Sequence, residues 1–60
     1  MLSPAATRVV AQAIINRYDA GEGTVNEIIA ANYPTLVGTP DEVNVKAAII
    51  VKRPEINVDA

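Results

Sequence analysis

Two short segments divide this chain into three parts, and they constrain its fold more than any other feature. Residues 21–24 (GEGT) end one helix on a glycine and open the next on Thr24, with Glu27 three positions later. Threonine and glutamate at this spacing form a capping box, in which each side chain bonds the backbone N–H of the other residue. Residues 38–42 (GTPDE) repeat the device, with proline at the first helical position. Both segments predict short helices that pack together.

Apolar residues at helical spacing fill the parts between these segments. We predict an all-α, compact three-helix domain of the helix-turn-helix kind, with helices over about 4–20, 25–33 and 40–52. Ser3 and Pro4 can begin the first helix, and Pro34 ends the second because it displaces its predecessor from the α region. Residues 1–60 form a single domain, in which 54–60 are expected to be a flexible or extended tail.

The third part of the chain carries two conflicting patterns. Its threonine cap, acidic first turn and basic last turn favour a helix. Its apolar residues alternate, however, as they do in a strand: Val43, Val45, Ala47, Ile49 and Val51. We favour the helix because capping residues signal a helix directly, while a strand over 43–51 stays open.

The composition limits both the size of the core and the available chemistry. Half of the 60 residues are hydrophobic, and Tyr18 and Tyr33 are the two aromatic residues among them. Such a core gives a small stability margin, so a protein partner or a homodimer is expected. The chain has no cysteine and no histidine, which excludes disulfides, the usual zinc sites and histidine acid–base catalysis.

No residue pattern indicates an enzyme. Carboxylates lie at the predicted helix ends, where capping and the helix dipole account for them: Asp19, Glu22, Glu27, Asp41 and Glu42. Residues 21–24 lack the preceding strand and the lysine of a phosphate loop. We therefore expect neither catalysis, nor a cofactor, nor a metal site.

The charge and hydropathy of the chain limit which partners and which cellular location are expected. The net charge of −2 opposes sequence-independent binding to nucleic acid. Lys46, Lys52 and Arg53 on the third helix are the candidate DNA contacts, although the acidic first turn would meet phosphate repulsion. The apolar runs are too short to cross a bilayer, and the first residues lack the features of a signal peptide. A cytoplasmic location is expected.

Four apolar or aromatic side chains are candidate contacts for a protein partner. Tyr18 and Tyr33 end the first two helices, while Ile56 and Val58 stand in the expected tail. Aromatic residues often anchor protein interfaces. For the two tyrosines, the alternative is a lid over the core with the hydroxyl at the surface.

The order of landmarks over about residues 7–50 resembles that of VapB-like antitoxins. The landmarks are residues 7–10 (TRVV), 24–28 (TVNEI), 33–36 (YPTL), 39–43 (TPDEV) and 47–49 (AAI). Val10 stands where this family has a proline. The family consists of small helix-turn-helix proteins that pair with PIN-domain ribonuclease toxins. The resemblance therefore implies a protein that binds a toxin, and it leaves open that a dimer binds its own operator DNA.

A second hypothesis does not depend on this resemblance. The wide apolar third helix is also typical of a stand-alone structural or inhibitory protein, of the kind that phages encode, that docks on a larger protein. Both hypotheses describe a small, non-enzymatic protein-interaction module without a membrane anchor. They differ in the identity of the protein partner and in whether DNA is bound.

Overall fold

Three α-helices and one short 3-10 helix form the chain, and the computed structural model describes all of residues 1–60. Helix α1 spans Pro4–Asp19, α2 spans Val25–Asn32 and α3 spans Pro40–Lys52, with the 3-10 helix at Pro34–Leu36. The predicted all-α architecture is confirmed, and each predicted helix end lies within one residue of the observed end. The alternative of a strand over 43–51 is wrong.

Local hydrogen bonds at the start of α2 explain why this helix begins where it does. The Thr24 hydroxyl accepts from the Glu27 N–H at 3.2 Å, and the Glu27 carboxylate accepts from the Thr24 N–H at 2.9 Å. The predicted capping box is therefore complete. Gly23 precedes it at φ +137°, and a Cβ there would lie 3.1 Å from Glu27 Oε1. Any other residue would be strained at this φ, and its Cβ would crowd the Glu27 carboxylate that completes the cap.

The cap of α3 is only half of the predicted device. The Thr39 hydroxyl accepts from the Glu42 N–H at 3.4 Å, but Glu42 does not bond back to Thr39. The reason is that the Thr39 N–H already donates to the Leu36 carbonyl at 3.0 Å. The Glu42 carboxylate instead lies 3.7 Å from the Lys46 ammonium, one turn along the helix.

The core consists of aliphatic side chains contributed by all three helices. The six largest fully buried side chains are all β-branched: Ile14, Val25, Ile28, Ile29, Val45 and Ile49. Such side chains have few rotamers to lose on burial. The helices are therefore held together by shape and hydrophobic burial, since no polar side chain is buried.

Helices α1 and α3 lie side by side and run in the same direction. At their first turns, the Leu2 N–H donates to Asp41 Oδ1 at 2.9 Å. At their last turns, the Arg53 guanidinium donates to the Asp19 carboxylate at 2.9 and 3.2 Å. This arrangement buries one face of α3 against the core and leaves the opposite face of α3 in solvent.

The extended tail predicted for residues 54–60 is not confirmed. The segment turns back after Pro54, and the Ile56 N–H donates to the Arg53 carbonyl at 3.1 Å. The Ile56 and Val58 side chains are 4 % and 7 % exposed and belong to the core. Burial of two β-branched side chains outweighs the entropy of a free chain end, which the local sequence could not reveal.

The complete capping box predicts a measurable cost of losing the Thr24 hydroxyl. The Thr24→Ala variant is expected to lose about 1 kcal/mol of unfolding free energy, because one N–H of the first turn loses its acceptor. Thr35→Ala is the matched control, since Thr35 is exposed and its side chain makes no hydrogen bond. Urea denaturation measures both, and equal stability of the two variants would contradict the capping role.

The folded tail predicts a contrast between two isoleucines. Ile56→Ala should lower the unfolding free energy by about 2–4 kcal/mol because it leaves a cavity in the core. Ile50→Ala deletes the same atoms from a side chain that is 43 % exposed, and it should cost less than about 1 kcal/mol. If denaturation shows similar losses for both variants, the burial of Ile56 is wrong.

Two exposed carboxylates predict how the stability of the fold changes at acidic pH. The pKa of Glu27 lies below its ordinary 4.5 because it accepts hydrogen bonds from Thr24. The pKa of Glu55 lies below the same value because of its bond to Arg53. Their contributions are complete above the unfolded pKa and are lost as the pH falls through the lower folded pKa. Melting temperature should therefore drop on acidification below about pH 4.5.

The Glu27→Gln variant separates the titration from the cap. Glutamine keeps an acceptor oxygen for the Thr24 N–H but carries no titrating proton. The fall in melting temperature on acidification should be shallower in this variant than in the original chain. Calorimetry between neutral and acidic pH measures it, and superimposable profiles would contradict the role of Glu27.

Candidate protein-interaction site

Helix α3 is apolar on two opposite faces. Val45 and Ile49 point into the core and are fully buried. On the other side of the helix, Val43 is 66 %, Ile50 43 % and Val51 84 % exposed, and Ala47 between them is also exposed. We call Val43, Ala47, Ile50 and Val51 the outward stripe. The spacing of these four residues places them on one side of an α-helix.

The alternating pattern that resembled a strand accounts for the outward stripe. Two residues along an α-helix correspond to a rotation of about 200°, so every second residue falls on the opposite side. Val45 and Ile49 thus face inward, while Val43, Ala47 and Val51 face outward. The sequence carried this signal, but nothing in it shows which of the two apolar faces is covered.

Charged residues of α3 lie on its two flanks rather than on its solvent face. Asp41 and Lys52 stand on the flank towards α1, where they bond Leu2 and Gln12. Glu42 and Lys46 pair on the other flank. A surface helix normally directs its charged residues to solvent. In α3, the outward stripe contains none.

The three cations predicted to contact DNA all have partners within the chain. Lys46 lies 3.7 Å from Glu42 and has a side chain only 18 % exposed. Lys52 Nζ donates to Gln12 Oε1 at 3.1 Å. Arg53 bonds both Asp19 and Glu55, and these bonds, chiefly that with Asp19, raise its pKa above the ordinary value. Lys46 thus bonds within α3, Lys52 and Arg53 connect its end to other elements, and the outward stripe carries none of the three.

The four predicted partner contacts do not form one surface. Ile56 and Val58 are core residues, so the prediction that they contact a partner is corrected by their burial. Tyr18 and Tyr33 are half-buried and pack against the core, as the lid alternative expects. None of the four belongs to the outward stripe, whose residues were not among the partner contacts predicted from the sequence.

One cleft of about 420 Å³ lies between the N-terminal residues and α3. Six residues line it, and the first two of them are hydrophobic: Met1, Leu2, Pro4, Thr7, Arg8 and Asn44. Met1 is 99 % exposed, so this wall of the cleft is open to solvent. Small-molecule sites are instead enclosed on most sides. No group of three acidic residues could hold a metal ion, and none of the helices is long and apolar enough to span a membrane.

The chain matches no protein-family model, no curated protein and no solved structure. The resemblance to VapB-like antitoxins therefore stays a prediction from the sequence. The outward stripe of α3 is the feature of the molecule that points to a function.

Proposed function

We propose that this chain is a small, non-catalytic protein-interaction module that binds a protein partner through the outward stripe of α3. The observation that supports the proposal is the exposure of Val43, Ile50 and Val51 on a helix whose charged residues all lie elsewhere. Burying one such aliphatic side chain stabilises a complex by up to about 1.5–3 kcal/mol. The stripe thus offers a substantial binding free energy to a partner that covers it.

The chemistry of the stripe defines the partner surface. Apolar side chains at positions i, i+4, i+7 and i+8 are the pattern by which a helix binds in a hydrophobic groove. From Val43 to Val51 the stripe extends over about 12 Å at 1.5 Å per residue. A complementary partner therefore presents an aliphatic groove of similar length and low charge.

An antitoxin is one form of such a module. For a VapB-like protein the partner would be a PIN-domain ribonuclease toxin, which the order of sequence landmarks favours. Another larger protein with an aliphatic groove is the alternative, and the same stripe would bind it. In either case we place the chain in the cytoplasm, which the absence of cysteine fits.

Operator binding is a separate part of the antitoxin hypothesis, and the geometry of α3 adds no support to it. Lys46 and Arg53 are occupied by carboxylates of the same chain, whereas binding to DNA needs cations that are free to contact phosphates. Our proposal is therefore limited to protein binding.

A pair of matched valine variants tests the proposed function. The tagged chain is used to capture partners from a lysate, with a PIN-domain toxin as the first purified candidate. Val51→Lys should weaken binding at least about tenfold, because a lysine in an apolar groove loses its hydration. Val9→Lys is the control, since Val9 is 69 % exposed on the outer side of α1.

The outcome depends on the difference between these two variants. A partner that binds the original chain and Val9→Lys, but not Val51→Lys, supports the stripe as the binding site. Circular dichroism confirms that both variants keep their helices. Equal binding of a partner to Val51→Lys and to the original chain would contradict the proposal.

A further inference from the structure

The outward stripe also has the properties of a surface that pairs with itself. We propose that, when no other partner is bound, the stripe packs against the same stripe of a second copy of this chain, with the two α3 helices antiparallel and the two-fold axis beside Ala47. This inference rests on the proposed function only in that both use the same surface.

Three of the four stripe residues are placed symmetrically about Ala47, whereas Ile50 has Asn44 as its counterpart. Val43 precedes Ala47 by four residues and Val51 follows it by four. In an antiparallel pair centred there, Val43 of each copy faces Val51 of the other, and the two Ala47 residues face each other. A two-fold interface requires this kind of self-complementary patch. The small side chain at the centre lets the two helices approach closely, since the interaxial distance depends on the residues at the contact.

The charge distribution favours the antiparallel orientation. No charge lies on the stripe, so no like charges meet across the interface. The acidic first turn of one α3 lies beside the last turn of the other, which carries Lys52, and the helix dipoles are opposed. Lys52 has no carboxylate of its own chain within 4.0 Å. It stands on the same flank as Asp41, beside α1. A parallel pair would instead place like ends together.

The area of the stripe determines the strength of the pairing. At about 100 Å² for each largely exposed aliphatic side chain, the stripe offers roughly 400 Å² per copy, or about 800 Å² for the pair. Stable specific interfaces bury about 1,200–2,000 Å². The dimer is therefore weak and reversible, with a dissociation constant between about 10 µM and 1 mM. A partner whose groove also encloses the flanks of α3 buries more area and displaces the second copy.

Sedimentation equilibrium of the full chain over a concentration series tests the pairing. Between about 10 µM and 2 mM, the average mass should rise from that of a monomer towards that of a dimer. Val51→Lys should weaken dimerisation at least about tenfold, whereas Val9→Lys should leave it unchanged. An original chain that stays monomeric throughout would overturn the inference.

Two double variants test the antiparallel register. With Val43→Glu and Val51→Lys in one chain, opposite charges face each other twice, so dimerisation should recover relative to Val51→Lys alone. With Val43→Lys and Val51→Lys, like charges face each other and the chain should stay monomeric. Circular dichroism verifies that both fold. In a parallel pair, like charges would face each other in both double variants. If the variant with glutamate and lysine dimerises no better than the variant with two lysines, the antiparallel register is overturned.

The two proposals fail in different ways. A monomeric original chain that still loses its partner in the Val51→Lys variant would overturn self-pairing and leave the proposed function intact. A dimer that Val51→Lys disrupts, without any effect on partner binding, would support self-pairing and contradict the proposed function.

Discussion

When three helices pack around one core, each helix buries only one face and leaves the others in solvent. In this chain, that constraint decides which apolar residues are exposed. The three α-helices and the short 3-10 helix of residues 1–60 form no second layer over these other faces. Helix α1 directs Arg8, Gln12 and Asn16 to solvent, as a surface helix should. Helix α3 cannot do so, because its apolar residues occupy two opposite faces and the core accepts only one of them.

The charged residues of α3 are consequently found between the two apolar faces. Glu42 and Lys46 pair with each other there, while the others bond neighbouring segments. Asp41 bonds the N-terminal segment, Lys52 bonds α1, and Arg53 joins the end of α1 to the C-terminal segment. Each exposed pair contributes little free energy on its own. Hydrophobic burial holds α1 and α3 together, and these bonds join the matching ends of the two parallel helices.

An apolar patch of this size suits a surface that is covered part of the time. The largest apolar patch on a typical monomer covers about 300–600 Å² and is often functional. Weak pairing with a second copy would shield the outward stripe and limit non-specific association. A protein partner with a complementary groove would compete for the same residues, so that self-pairing and partner binding exclude each other.

The capping residues determined the helix boundaries by themselves, because bonds such as those between Thr24 and Glu27 act within one turn. Only the tertiary structure decided the role of Glu42, since the N–H it would have bonded is taken by a neighbouring carbonyl. It also placed Ile56 and Val58 in the core, because their burial depends on residues distant in sequence. For the candidate site, the alternation over 43–51 implied two apolar faces of a helix, but the packing of α1 and α2 decided which face became the surface.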